Sequence, residues 1–78
     1  MLFNLDTQGL VCPMPLLKLK LLLKQCHSGD TIEQLVTDKT SVKDIPAWLE
    51  NKGYGVQINH PTPSVYCLVI KVNANSGL

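Results

Sequence analysis

Gly9-Leu10-Val11-Cys12-Pro13-Met14-Pro15 runs directly into Leu16-Leu17-Lys18-Leu19-Lys20-Leu21-Leu22-Leu23. A cysteine, two prolines in alternate positions and then a leucine-rich run predict a helix that begins beside a thiol. Pro13 biases Cys12 towards extended backbone, the conformation of an N-cap. Pro13 then fits the first helical position, where its missing N–H costs nothing, and Pro15 the third. The N–H of Met14 is left near the sulfur. At about 100° per residue, Leu16, Leu19, Leu22, Leu23 and Cys26 share one face, the expected core face. Met14, Leu17 and Leu21 form a second apolar strip between Lys18, Lys20 and Lys24. That strip is either scattered surface apolar residues or a docking surface beside Cys12.

Outward from this helix, Leu2-Phe3-Asn4-Leu5 reads as a first strand and Asp6 to Val11 as a loop containing Gly9. Helix one spans Pro13 to about Cys26, with Gly29 in the turn that follows. Thr31 to Thr37 is rich in β-branched residues and reads as a second strand. Val42 to Lys52 reads as helix two, stopped at Gly53. Ser41 and Asp44 resemble a capping box, and Pro46 either distorts the first turn or lies early in the helix. Tyr54 to Asn59 is a third strand and His60-Pro61-Thr62-Pro63-Ser64 a turn. Val65 to Asn73 is a fourth strand, followed by a frayed tail from Ala74 to Leu78. The order β-α-β-α-β-β predicts an α/β (α+β) two-layer sandwich, with a mixed four-stranded sheet and two helices on one face. The β-α-β links favour parallel neighbours, and the last two strands an antiparallel hairpin.

Composition narrows the function. The 78 residues are expected to form a single domain, 1–78, and 45% are hydrophobic, which argues for a folded core. The formal net charge is +1 and there is no arginine, so direct stable nucleic-acid binding is not expected. No apolar run is long enough to span a bilayer, and the first residues lack the basic start of a signal peptide. Three cysteines, at 12, 26 and 67, cannot all pair. A reduced, cytoplasmic protein with free thiols is expected.

The chemistry centres on Cys12. A helix N-terminus carries partial positive charge and free N–H groups, both of which favour the reactive thiolate. A lone cysteine is more often a small buried hydrophobe, but the flanking prolines and the loop glycine argue for exposure here. Cys26 and Cys67 read as structural, with a resolving role for either as the alternative. No base or oxyanion arrangement lies near Cys12 in sequence. No metal site is expected, because no Cys-x-x-Cys or His-x-x-x-His pair occurs, and no cofactor is expected. His27 and His60 read as solvated turn residues, and Trp48 as core or rim. A persulfide carrier needs less than a hydrolase: an exposed sulfur, a lowered thiol pKa and docking surfaces.

Gly9-Leu10-Val11-Cys12-Pro13-Met14-Pro15 resembles the Gly-x-x-Cys-Pro-x-Pro signature of the TusA (SirA-like) sulfur-carrier family. Leu5-Asp6, Gly29-Asp30-Thr31 and Asp44-Ile45-Pro46 look like further family positions, and the resemblance covers about residues 2 to 72. It implies the same two-layer fold and makes Cys12 the persulfide-bearing residue, positioned by Gly9, Pro13, Met14 and Pro15. It also implies a sulfurtransferase-type carrier rather than a stand-alone turnover enzyme. Its partners would be a cysteine desulfurase or other sulfur donor and a downstream sulfur-acceptor protein, for tRNA thiolation or a related pathway. Leu17, Lys18, Leu21, Asp38, Lys39 and Asp44 are the candidate partner-binding residues. Carriers of this kind often have basic residues before the cysteine and an acid between the prolines. Here Gln8, Val11 and Met14 are uncharged, and the acidic loop before helix two is reduced to Asp38-Lys39-Thr40. The alternative function is a non-catalytic interaction or regulatory module docking through helix one; a redox switch at Cys12 is a third reading.

Overall fold

Strict alternation along Thr31–Val36 sets the middle of the molecule. Ile32, Gln34 and Val36 point to one face and are fully buried, while Thr31, Glu33 and Leu35 point to the other. In this computed structural model, which describes residues 1–72, the elements are β1 (Leu2–Thr7), α1 (Met14–Leu23), β2 (Thr31–Val36), α2 (Lys39–Asn51), β3 (Gly55–Thr62) and β4 (Val65–Lys71). The element order and the mixed four-stranded sheet agree with expectation. Asn73 and the tail lie outside the described residues.

The strands lie in the order β1-β2-β4-β3. β1 runs parallel to β2, with Leu2 opposite Thr31 and Thr7 opposite Val36. β4 pairs antiparallel with both β2 and β3. Only the first β-α-β link therefore joins parallel neighbours. The second carries the chain past the β4 position, and β4 then folds back between β2 and β3. The hairpin inserts because β4 has two buried positions to satisfy, Leu68 and Ile70, and a central place covers them best.

The core lies between the helices and one face of the sheet. It contains Leu19 from α1, Ile45 and Leu49 from α2, and Ile32, Val36, Leu68, Ile70 and Val72 from the sheet side. Each such side chain contributes about 1.5–3 kcal/mol on burial. Leu16, Leu22, Leu23 and Cys26 pack around it half-buried, as the helical spacing predicts, and Trp48 packs at the rim. Trp48 is flanked by Lys20 Nζ at 5.0 Å from the ring centroid and by Tyr54 at 6.4 Å between centroids.

Several boundaries differ from the sequence reading, each for a local reason. β1 extends through Asp6 and Thr7, where the Thr7 hydroxyl donates to Leu35 O at 2.6 Å. β3 continues through His60, Pro61 and Thr62, residues read above as a turn. β3 pairs only with β4, so its outer edge tolerates Pro61, and the pairing register shifts between Asn59 and Thr62. His60 accordingly stacks on Tyr66, with centroids 4.0 Å apart, instead of sitting in a turn. α2 starts three residues earlier than Val42, and Pro46 lies inside it. Cys67 is half-buried on the sheet face turned away from the helices.

Candidate functional site around Cys12

Residues 8–13 form a loop between β1 and α1, tied to the sheet at several points. Gly9 takes a φ of +82°, a left-handed conformation that favours glycine. Its N–H donates to Thr37 Oγ1 at 2.9 Å, at the end of β2. Leu10 N–H donates to Thr7 O at 3.2 Å. Below the loop, the fully buried Gln34 reaches up from β2. Its Nε2 donates to Pro15 O at 2.9 Å and to Thr7 Oγ1 at 3.3 Å. A polar residue in the middle of an apolar face thus fixes the start of α1 over the sheet. Gln34 had no signal in the sequence beyond its place in the strand's alternating pattern.

The N-terminus of α1 differs from expectation in two respects. Pro13, not Cys12, holds the N-cap position, so Pro15 is the second helical residue. The Met14 N–H donates to Val11 O at 2.9 Å and is not left for the sulfur. Cys12 therefore stands one residue outside the helix, on an exposed loop that reaches towards α2.

The start of α2 supplies what α1 lacks. Asp38 is its N-cap, and Oδ2 accepts from Ser41 N at 3.0 Å and from Ser41 Oγ at 2.9 Å. The capping pair is Asp38 with Ser41, not Ser41 with Asp44. The same Asp38 Oδ2 accepts the Cys12 N–H at 3.2 Å. Asp44, one turn further along and released from any capping task, meets the sulfur: Cys12 Sγ donates to Asp44 Oδ2 at 3.6 Å.

The setting of Cys12 reverses its expected acidity. The thiol is pushed above its ordinary value, first by shielding from water, then by donation to Asp44, then by the negative charges of Asp44 and Asp38. Asp38 is shifted the other way, held low by the Ser41 hydroxyl and N–H and by the Cys12 N–H. Cys26 and Cys67 are also raised, mainly by burial.

Around Cys12 the surface is apolar and accessible. Val11 is 65% exposed, Met14 41%, Leu17 44% and Leu21 61%. Lys18 and Lys39 are exposed beside them. The strip read from helix one is thus exposed, as the thiol is. Among the described residues, no three His, Cys, Asp or Glu side chains group to hold a metal ion. No helix among them is long and apolar enough to cross a membrane.

The family model for the sulfurtransferase TusA matches residues 4–72. The chain belongs to the TusA family. The curated relatives that match bear the name sulfur carrier protein, most of them as a proposed role. A TusA sulfur carrier protein of Allochromatium vinosum is 41% identical over 50 residues, 64% of this chain and 66% of that one. A candidate sulfur carrier protein of Methanocaldococcus jannaschii is 36% identical over 68 residues, 87% of this chain and 91% of its own length. In a longer Bacillus subtilis relative the matched stretch makes up 27% of the length, so the TusA unit there is one part of a larger chain. The crystal structure of a SirA-like protein from Desulfitobacterium hafniense superposes with a TM-score of 0.82 at 24% identity, covering 94% of this chain and 99% of that one. It confirms the fold.

Proposed function

We propose that this TusA-family chain acts as a single carrier domain, residues 1–78, that accepts sulfane sulfur as a Cys12 persulfide and passes it to an acceptor protein. The observation that carries this reading is the contrast among the three free thiols. Cys12 is exposed on a loop pinned at Gly9, Cys12 and Pro15, while Cys26 and Cys67 are partly covered. Gly9, Pro13 and Pro15 shape the loop. Met14, Leu17 and Leu21, with Lys18 on the same helix and Lys39 at the start of α2, supply the surface on which donor and acceptor dock in turn. A cytoplasmic cysteine desulfurase fits the donor role, and a protein of tRNA thiolation or a related pathway fits the acceptor role. No metal or cofactor enters the transfer, because exchange between thiol and persulfide needs only the attacking, transferred and leaving sulfurs and a proton route.

Incubation with a cysteine desulfurase and cysteine, followed by intact mass measurement, tests the reading. Wild type should gain the mass of one sulfur, and Cys12→Ser should gain none. A gain retained in Cys12→Ser would overturn it. The exposed strip also suits a non-catalytic docking module. In that case Cys12→Ser would complement a gene deletion as well as wild type does.

A further inference from the structure

Asp44 sits on the first turns of α2, is exposed, and among the described residues makes one side-chain hydrogen bond, to Cys12 Sγ. It caps no helix and forms no ion pair there. Its neighbour Asp38 is engaged in the cap and the loop, with three donors on Oδ2. Of the charged groups that bear on the sulfur, Asp38 and Asp44, only Asp44 has a carboxylate oxygen in contact with it.

We propose that Asp44 is a catalytic residue of the carrier, taking the thiol proton as Cys12 receives sulfur and returning it as sulfur leaves. The inference rests on the carrier reading above. On uptake, the Cys12 sulfur attacks the terminal sulfur of a donor persulfide, R–S–SH. The Cys12–S bond to that sulfur forms, and the donor's S–S bond breaks. The Cys12 proton passes to Asp44 Oδ2 and then to the departing donor thiolate. The sum is R–S–SH plus Cys12 thiol giving R–SH plus Cys12–S–SH, with no external oxidant or reductant. On delivery, the acceptor thiol attacks the terminal sulfur, and its proton returns to Cys12 Sγ through Asp44.

The raised pKa of Cys12 fits this assignment. A thiol that ionises reluctantly gives the more nucleophilic thiolate, but it is a poor leaving group. Each half of the transfer therefore benefits from a proton acceptor and donor already in hydrogen-bond contact with the sulfur. Before uptake and after delivery the sulfur rests as a thiol, the form less open to oxidation.

Asp44→Asn keeps the size and a hydrogen-bonding group but cannot carry the proton. Two rates on folded protein, verified by circular dichroism, separate the possibilities. One is alkylation of Cys12 by iodoacetamide across neutral to alkaline pH; the other is sulfur uptake from glutathione persulfide. In Asp44→Asn the alkylation midpoint should move to lower pH and the rate at neutral pH should rise severalfold. Sulfur uptake should nevertheless fall by roughly a hundredfold. Asp44→Glu, which restores a carboxylate, should recover most of the uptake. Faster or unchanged uptake in Asp44→Asn would overturn the proposal, as would Asp44→Glu being as slow as Asp44→Asn. If wild type itself takes up no sulfur at Cys12, the carrier reading fails and this inference fails with it.

Discussion

The two helices begin in opposite ways. α2 opens on Asp38, whose side chain accepts from Ser41 and satisfies the first turn from within its own sequence. α1 opens on Pro13, with no side-chain cap, no acid in its first turn and a second proline immediately inside. Its backbone start is held by Gln34 from β2, and its neighbouring thiol by the acids of α2. The capped helix carries the partner for its first turn in its own sequence. The uncapped one depends on the rest of the fold, so the electrostatics of Cys12 are set at a distance along the chain.

That difference predicts where each helix is vulnerable. α1 should draw its stability from packing, since short helices gain little from propensity alone. Leu19→Ala, at its one fully buried leucine, should cost about 2–5 kcal/mol in urea unfolding. A loss within the range of a surface substitution would show that α1 is held by its start instead.

Asp38→Asn should act on both helix starts together. Its melting temperature at neutral pH should fall by a few degrees: asparagine still caps a helix, but the Ser41 and Cys12 donors lose a charged acceptor. The carboxyl of Asp38 is held below its ordinary value in the fold. Its contribution is therefore present above the ordinary carboxylate range and is lost as pH falls through the lowered value. The gap between wild type and Asp38→Asn in thermal melts should close in that acid range. A gap independent of pH would remove the charge from the account.

The smallest effect should come from giving α1 the acid it lacks. Met14→Glu places a carboxylate in the first turn, where the helix field favours it by about 0.3–1 kcal/mol. It also adds a third negative charge near Cys12. Stability to urea should rise slightly, while the alkylation midpoint of Cys12 moves to higher pH. An unchanged or lower midpoint would mean that negative charge beside the loop does not govern the sulfur.

Much of the fold could be read from local pattern. The β-branched alternation of Thr31–Val36, the glycines at 29 and 53, and the leucine spacing of α1 all act on neighbouring residues. The place of β4 between β2 and β3 could not be read so, because strand order depends on which faces must be covered. Pro61 was misleading for a related reason: a proline breaks an inner strand but not the free edge that β3 presents. At the site, the loop residues Gly9 to Pro15 were visible as a motif, and Asp38 and Asp44 as residues of interest. Their action on Cys12 was not visible. Asp38 is 26 positions from the cysteine and Asp44 is 32, whereas the helix end next to it suggested the opposite shift.

The long separation between Cys12 and Asp44 makes the sulfur a reporter of whether the chain is assembled. When α2 leaves its place, Cys12 loses both carboxylates and its acidity returns towards that of a free cysteine. Because the sulfur is exposed already, unfolding changes its chemistry more than its accessibility. The fold in turn favours the protonated thiol, a preference present at neutral pH and lost as pH climbs through the raised value. A misassembled copy would therefore carry a more readily ionised and more indiscriminate thiol than the native one, open to oxidants that the native thiol resists. Correct folding restrains this sulfur until a partner arrives.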